Sequence, residues 1–406
     1  MKKIKIKDVV ENIFRGISPK YSEDTGLMVI NQKCVRGGRI NYDLARLHDL
    51  QKKVPEAKYL LSGDVLVNST GTGTAGRVAF WHSDEKAVVD SHVSVIRPKP
   101  DCIDPLYLYY SLSYREKEIE SYAEGSTGQV ELARSKLGDI EINLPDIKIQ
   151  KAISAILQSI DFKLDFLKKQ NKTLEAMSAA LFRQSFIEES DLSWYETTLG
   201  EHIDSIKGLS YKGSGLTSKE NGIPLFNLNS VLEGGGYKTL GIKYYNGEYK
   251  ERHLIKAGDI IVANTEQGHE YRLIGCPAIV PDIGNQDYLF THHLFKVTIN
   301  QDSYLTVPFI YYLLCSNHVR EQVIAATNGS TVNQLSSDGL KLPKFRLPPK
   351  IDVQNFTSQV ESFWHKKNLN NNQVNTLEKL RDILQPKLIS GEVRVNYDED
   401  MVESVA

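Results

Sequence analysis

Between residues 144 and 187, apolar side chains recur in steps of three and four: Ile149, Ile153, Ile156, Ile160, Leu164 and Leu167, then Leu174, Met177 and Leu181. This is the spacing of one helix face. After Pro145 the stretch contains neither proline nor glycine. Sustained over about five heptads, it predicts a coiled-coil helix on the order of 55 Å long. A second stretch, residues 347–390, has the same construction, with Val353, Phe356, Val360, Phe363, Val374, Leu377, Leu380, Leu384 and Leu388. A shift of 203 residues carries Leu144-Pro145 onto Leu347-Pro348 and Thr173-Leu-Glu175 onto Thr376-Leu-Glu378. Two long helices with matching seams most simply pack on each other as an intramolecular coiled coil; packing of each on its own domain is the alternative. Their polar middles, Lys168–Lys172 and Lys366–Gln373, would weaken such a pair but fix its register.

Ahead of each helix the period shortens. Residues 59–81 read as strand, glycine-rich turn and strand; Ser91–Ile96 alternates as another strand; Pro105–Leu112 starts an aromatic-rich helix. The second half repeats this order. Gly258-Asp259-Ile-Ile-Val-Ala-Asn264 answers Gly63-Asp64-Val-Leu-Val-Asn68, Thr291-His292 answers Ser91-His92, Phe309–Tyr312 answers Tyr107–Tyr110, and Gly329-Ser-Thr331 answers Gly125-Ser-Thr127. The connecting stretches, 20–58 and 207–256, share almost nothing. The chain is therefore expected to be an α+β protein: two mixed α/β domains joined by two long antiparallel helices, with a pseudo-twofold internal repeat. The expected boundaries are 1–145, 146–190 (first helix), 191–348, 349–391 (second helix) and an acidic tail, 392–406. One frame displays two different surfaces.

A length of 406 residues with 41% hydrophobic and 25% charged positions suits two to three soluble domains. No run approaches a membrane span, and the first residues form no signal-peptide core. Four scattered cysteines point to a reduced cytoplasm and to small core residues. A net charge of −2 argues against bulk attraction of nucleic acid, although residues 1–60 are locally basic. Gly71-Thr-Gly73-Thr-Ala-Gly76 is a formal GxGxxG, but the strand-like Arg77–Trp81 follows it where a dinucleotide site needs a helix. There is no P-loop, and no [DNS]PP[YF] for a methyltransferase. The PD-(D/E)xK-like Asp146 and Asp161-Phe-Lys163 fall in or beside the first long helix. His292 and His293, as strand neighbours, would point to opposite faces, so no metal is expected. The chain is expected to catalyse nothing.

Three segments carry a resemblance: Leu61-Ser-Gly-Asp-Val-Leu66, Glu124-Gly-Ser-Thr-Gly-Gln-Val-Glu-Leu132 with its continuation to Ile140, and Ile383-Leu-Gln-Pro-Lys-Leu-Ile-Ser-Gly-Glu-Val-Arg-Val395. Together they resemble the specificity subunit of type I DNA restriction–modification enzymes, over nearly the whole chain. The resemblance implies two target recognition domains, each reading half of a bipartite site in double-stranded DNA, with the helices fixing the gap. It also implies two modification (methyltransferase) subunits and restriction (translocase/nuclease) subunits as partners, with S-adenosylmethionine and ATP belonging to those partners and no cofactor in this chain. The second copy departs from the pattern at Asn328-Gly-Ser-Thr-Val-Asn333 and in the glycine-poor 264–272 loop. Candidate DNA contacts are Arg36, Arg39, Asn68, Thr70, Thr72 and Arg77 in the first domain, and Lys212, Asn264, Gln267, His269 and Arg272 in the second. Arginine and lysine suit guanine, and asparagine and glutamine suit adenine. Two other classes stay open: an enzyme with an unfamiliar site, and a two-domain scaffold that binds protein or carbohydrate.

Overall fold

The computed structural model describes residues 2–125, 130–238, 241–268, 270–284, 287–329 and 332–395. Chain contacts divide it into two compact units, Met1–Lys168 with Asn371–Ala406 and Lys169–Asn370. The apolar periodicity is realised as two long helices, Ile147–Arg183 and Lys350–Ser390, and each contributes to both units. The prolines at 145 and 348 stand just outside them, after the short strands Glu141–Leu144 and Lys344–Arg346. Proline has no N–H with which to continue a strand ladder, and it is well placed at a helix entry.

Within each unit the two helices run antiparallel, with different seams. In the first unit Ile160, Leu164 and Leu167 pack against Val374, Leu377 and Leu384. In the second the seam is aromatic: Phe182 and Phe186 meet Phe356 at 5.6 and 5.3 Å between ring centroids. The polar middle contains a buried amide. Asn370 donates its two side-chain hydrogens to Gln170 Oε1 and Asn171 Oδ1, each at 2.8 Å. These bonds exist in one register only, so a slipped pairing would bury the amide unsatisfied. Two expected seam residues, Met177 and Leu380, are instead exposed. Past Leu174 the first helix also packs on the Tyr311–Tyr312 helix, and the small, buried Ser178 rather than Met177 lies beside Tyr312.

The repeat is structural. Each unit has a four-stranded antiparallel sheet in the same spatial order: Val10–Arg15, Val93–Pro98, Val65–Asn68 and Val78–Phe80 in the first, and Ile203–Lys207, Leu294–Ile299, Ile260–Ala263 and Pro277–Ile279 in the second. The inner strands Val65–Asn68 and Ile260–Ala263 are buried along their whole length and apolar but for Asn68, because both faces are covered. Val65 and Val67 face the helices while Leu66 faces a second sheet; Ile260, Val262 and Ile261 do the same. Each second sheet contains one parallel pair, Leu27–Ile30 with Ala87–Val89 and Ile223–Phe226 with Tyr288–Phe290. The aromatic helices Pro105–Ser113 and Val307–Cys315 dock alike on the long helices. Asp104 caps the first and accepts from Ser154 Oγ (2.6 Å), while Thr306 caps the second and bonds Thr357 Oγ1 (2.6 Å).

Backbone bonds correct the repeat alignment by one residue. Ser69 N–H donates to the His92 carbonyl (2.8 Å) and Asn264 N–H to the His293 carbonyl (3.0 Å). Asn264 therefore answers Ser69 rather than Asn68, and His293 answers His92 where the sequence alignment set His292. Both histidines lie in the turn before a strand, not on it, so His292 and His293 do not point to opposite faces; their rings are 3.9 Å apart. Cys34 and Cys276 are buried and Cys315 half-buried, but Cys102 is exposed rather than a core residue. Among the described residues no helix is long and apolar enough to cross a membrane. Residues 396–406 of the acidic tail, and Ser126-Thr127 and Ser330-Thr331 of the repeated Gly-Ser-Thr motif, lie outside the described residues.

Candidate nucleic-acid interface

The two most repeated sequence motifs meet in space, a convergence that neither shows alone. In the first unit Leu132 N–H donates to Ser69 O (2.8 Å), and Thr70 bridges to Glu131. In the second, Leu335 N–H donates to Asn264 O (2.8 Å), and Thr265–Gln267 pairs with Val332–Gln334. Each junction is completed by a side-chain bond: Thr70 Oγ1 to His92 Nδ1 at 2.8 Å, and Thr265 Oγ1 to His293 Nδ1 at 2.9 Å. A junction of loops at the end of a rigid sheet is a suitable place for recognition.

Around these junctions the units differ. In the first, Gly37 (φ 59°) and Gly38 (φ 76°) turn a hairpin between Val35-Arg36 and Arg39-Ile40, the double left-handed geometry of a type I′ turn. Gly38 is required twice, since a Cβ there would lie 2.5 Å from the Tyr109 hydroxyl. The glycine-rich loop is anchored from the helix Glu116–Ser121: Glu120 accepts from Gly73 N–H (2.9 Å) and Glu116 from Val78 N–H (2.8 Å). Burial pushes the Glu116 carboxyl up, with the Val78 N–H opposing. In the second unit the polarity of the anchor is reversed. Glu266, inside the loop, accepts the backbone N–H groups of Arg272, Leu273 and Ile274, each at 2.8 Å. The helix Asn317–Ala325 supplies a cation, Arg320, which donates to Ile274 O (3.1 Å) and to Tyr271 O.

The candidate side chains fall into three groups. Arg36, Thr72 and Lys212 are exposed. Arg39, Arg77, Thr70 and Arg272 are exposed or half-buried but already engaged: Arg39 pairs with Asp165 of the long helix, Arg77 donates to Gly73 O (2.7 Å), Thr70 bonds Gln32 and His92, and Arg272 pairs with Glu270 (2.8 Å). Asn68 and Asn264 are wholly buried, contrary to expectation. Asn68 Nδ2 donates to Gln32 O (2.9 Å) and Asn264 Nδ2 to His292 O (3.1 Å). Both tie neighbouring loops to the sheet, and a side chain so enclosed cannot reach a base edge. The side chain of Gln267 and the whole of His269 lie outside the described residues.

The residues that the sequence reading missed are Gln32, His92, His293 and the pair Lys243–Tyr211 (2.7 Å). Ser91-His92 and Thr291-His292-His293, histidines just ahead of the same strand in both repeats, were the available signal. Burial, with His292, Lys207 and Lys243 nearby, holds the His293 imidazole below its ordinary value. Among the described residues no group of three or more His, Cys, Asp or Glu is arranged to hold a metal ion.

Residues 1–176 match the family model of the type I restriction modification DNA specificity domain. The type I restriction enzyme MjaIX specificity subunit of Methanocaldococcus jannaschii is 27% identical over 71% of this chain and 69% of its own length. The HindI specificity subunit of Haemophilus influenzae is 21% identical over 97% of this chain and 99% of its own. The crystal structure of a type I restriction–modification system S subunit from M. genitalium shares the fold, with a TM-score of 0.61 and 16% identity over 96% of each chain. By these matches, and by the fold shared with the M. genitalium S subunit, the chain is similar to type I restriction–modification specificity subunits.

Proposed function

We propose that each unit reads one half of a bipartite DNA site, and that the long helices set the gap and dock two modification subunits. The observation that carries this reading is the duplicated junction: the same backbone bonds and the same threonine–histidine contact recur, surrounded by unlike side chains. A frame repeated in this way suits two half-sites on one duplex, and unlike surroundings suit two different half-sites. Adenine methylation, with its S-adenosylmethionine, would belong to the modification subunits, and ATP-driven restriction to further partners. This chain would contribute recognition alone. The modest net charge fits if the partners supply much of the phosphate contact.

The test is a methylome. The chain is expressed with its modification subunit in a methylation-free host and N6-methyladenine is mapped. The expected result is one motif of two short defined halves around a fixed gap. A continuous motif would overturn the two-half reading. No methylation, with an active and bound partner, would favour a scaffold that does not read DNA.

A further inference from the structure

We infer that His92 and His293 are matched contacts to the DNA backbone, one phosphate in each half-site, positioned by Thr70 and Thr265. This rests on the proposed DNA reading and adds to it a role for two residues. The first support is equivalence. Each histidine carbonyl receives the backbone N–H that opens the adjoining loop, and each Nδ1 bonds a threonine hydroxyl, at 2.8 and 2.9 Å. The second is accessibility. His92 is exposed and His293 half-buried, and neither Nε2 has a hydrogen bond among the described residues. In the second unit Thr265 can give its proton to Nδ1, which leaves the ring's own proton on Nε2. In the first, Thr70 gives its proton to Gln32, so Nδ1 donates to Thr70 and the donor on Nε2 is that of the imidazolium; either Nε2–H suits a phosphate oxygen.

The third support is a logical constraint. Groups that are identical in two units cannot by themselves specify two different half-sites, whereas phosphate contacts carry no sequence information and can be shared. The neighbours that do differ sit beside the pair. Gln32 Oε1 accepts from Thr70 in the first unit (3.0 Å), while Lys243, bonded to Tyr211, lies near His293 in the second. The common pair would set the depth and angle of approach, and the unlike neighbours would read.

The experiment uses the chain in complex with its modification subunit and a duplex carrying the mapped motif. Single phosphates are replaced in turn by neutral methylphosphonates, and binding is measured by anisotropy for the wild type and for His92→Ala, His293→Ala and Thr70→Val. Each histidine variant is expected to bind the cognate duplex and a duplex with scrambled half-sites about tenfold more weakly, by the same factor for both, with an unchanged methylated motif. One phosphate per half-site should matter in the wild type and cease to matter in the corresponding variant. Thr70→Val, which keeps the ring, should show a smaller loss at the same phosphate as His92→Ala. Wild-type affinity in the variants would overturn the inference, as would loss without coupling to any one phosphate. So would a relaxed motif, which would mark a base contact. If the wild type methylates a bipartite motif while the coupling is absent, only this inference falls; if the wild type shows no sequence-dependent methylation, the DNA reading falls with it.

Discussion

The Gly63-Asp64 and Gly258-Asp259 turns hold the same place in the two units with different parts. Asp64 is almost fully enclosed. It accepts from Leu61 N–H (2.9 Å) and takes both Nε (2.9 Å) and a terminal nitrogen (2.7 Å) of Arg97. Asp259 accepts from Lys256 N–H (2.8 Å) and pairs with Lys296 through a single contact (2.8 Å), with both side chains partly in water. Lys296 comes from a different position on its strand, since the two registers make Thr298 the counterpart of Arg97. What is retained is the bond pattern that the turn needs; the cation that satisfies it has been replaced. The two copies should therefore break differently at the same residue. Asp64→Asn leaves a mostly buried guanidinium without its counter-charge, and we expect a loss of about 3–5 kcal/mol. Asp259→Asn should cost roughly 0–1 kcal/mol, the range of a solvated pair. Hydrogen exchange, read separately for peptides of each unit, gives both values, and equal losses would refute the contrast.

The glycine that ends each variable loop extends the comparison. Gly76 (φ 83°) and Gly275 (φ 78°) hold the same backbone place, donating their N–H groups to the carbonyls of Asn68 and Ala263. A Cβ on Gly76 would lie 2.6 Å from the backbone nitrogen of Glu120 and 2.7 Å from the carbonyl oxygen of Glu116, neither of which can move without the helix. A Cβ on Gly275 would meet a Val323 methyl at 2.5 Å, which rotation can relieve. Gly76→Ala should cost roughly 3 kcal/mol, combining left-handed strain with overpacking, and Gly275→Ala roughly 1–2 kcal/mol, mostly the strain. Chemical denaturation of the two variants decides it; a larger loss for Gly275→Ala would mean that Val323 is as fixed as the Glu116–Ser121 backbone.

The same contrast applies to the arginines proposed for DNA. Arg36 has no ion pair among the described residues, whereas Arg39, three positions on, holds Asp165 of the long helix. Arg36→Ala should lower affinity for the cognate duplex by about 1–3 kcal/mol if the side chain is bidentate to a base. Arg39→Ala should leave affinity nearly unchanged and cost roughly 0–1 kcal/mol of stability. Anisotropy titrations showing the reverse order would make Arg39 the reader and its ion pair a resting contact.

The frame was readable from the sequence because periodicity reports which faces are covered. The long helices, the glycine-rich hairpin and the aromatic helix all follow from spacing that burial dictates. The seam at Met177 was misread because a helix that changes partners turns its buried face, and spacing alone carries no information about Tyr312. The site was less legible for a related reason. Asn68 and Asn264 are polar residues beside loops, and only the fold shows that their amides are spent inside, tying Gln32 and His292 to the sheet. The threonine–histidine pairs join residues 22 and 28 positions apart. Each half of such a pair is ordinary, and the contact depends on a distance that spacing does not express.

Acid should separate the units most gently, and by a sign that can be worked out. His202, His253 and His293, all in the second unit, are held below the ordinary imidazole value, first by burial. His202 is nearly enclosed, with its two ring nitrogens bonded to Thr197 Oγ1 (3.1 Å) and Ser303 Oγ (2.9 Å). As pH falls below about 6.5, the unfolded chain takes up protons at these positions while the folded unit does not, so the unfolded state gains and stability falls. The loss is complete once the folded histidines protonate too. In the first unit the resolved buried acids act the other way. Burial raises the carboxyls of Asp90 and Glu116, so their folded forms accept protons earlier than the unfolded chain, and the cost of burying them charged is relieved on acidification. The carboxylates that salt bridges and hydrogen bonds hold low, such as Asp204 and Asp139, stay ionised in both states above about pH 5 and contribute no difference there. Between pH 7 and pH 5 the second unit should therefore lose protection and the first should not, with exchange rates corrected for their intrinsic pH dependence. Parallel loss in both units would mean that they unfold as one body, and the contrast between their turns and loops would then have to be read from the variants alone.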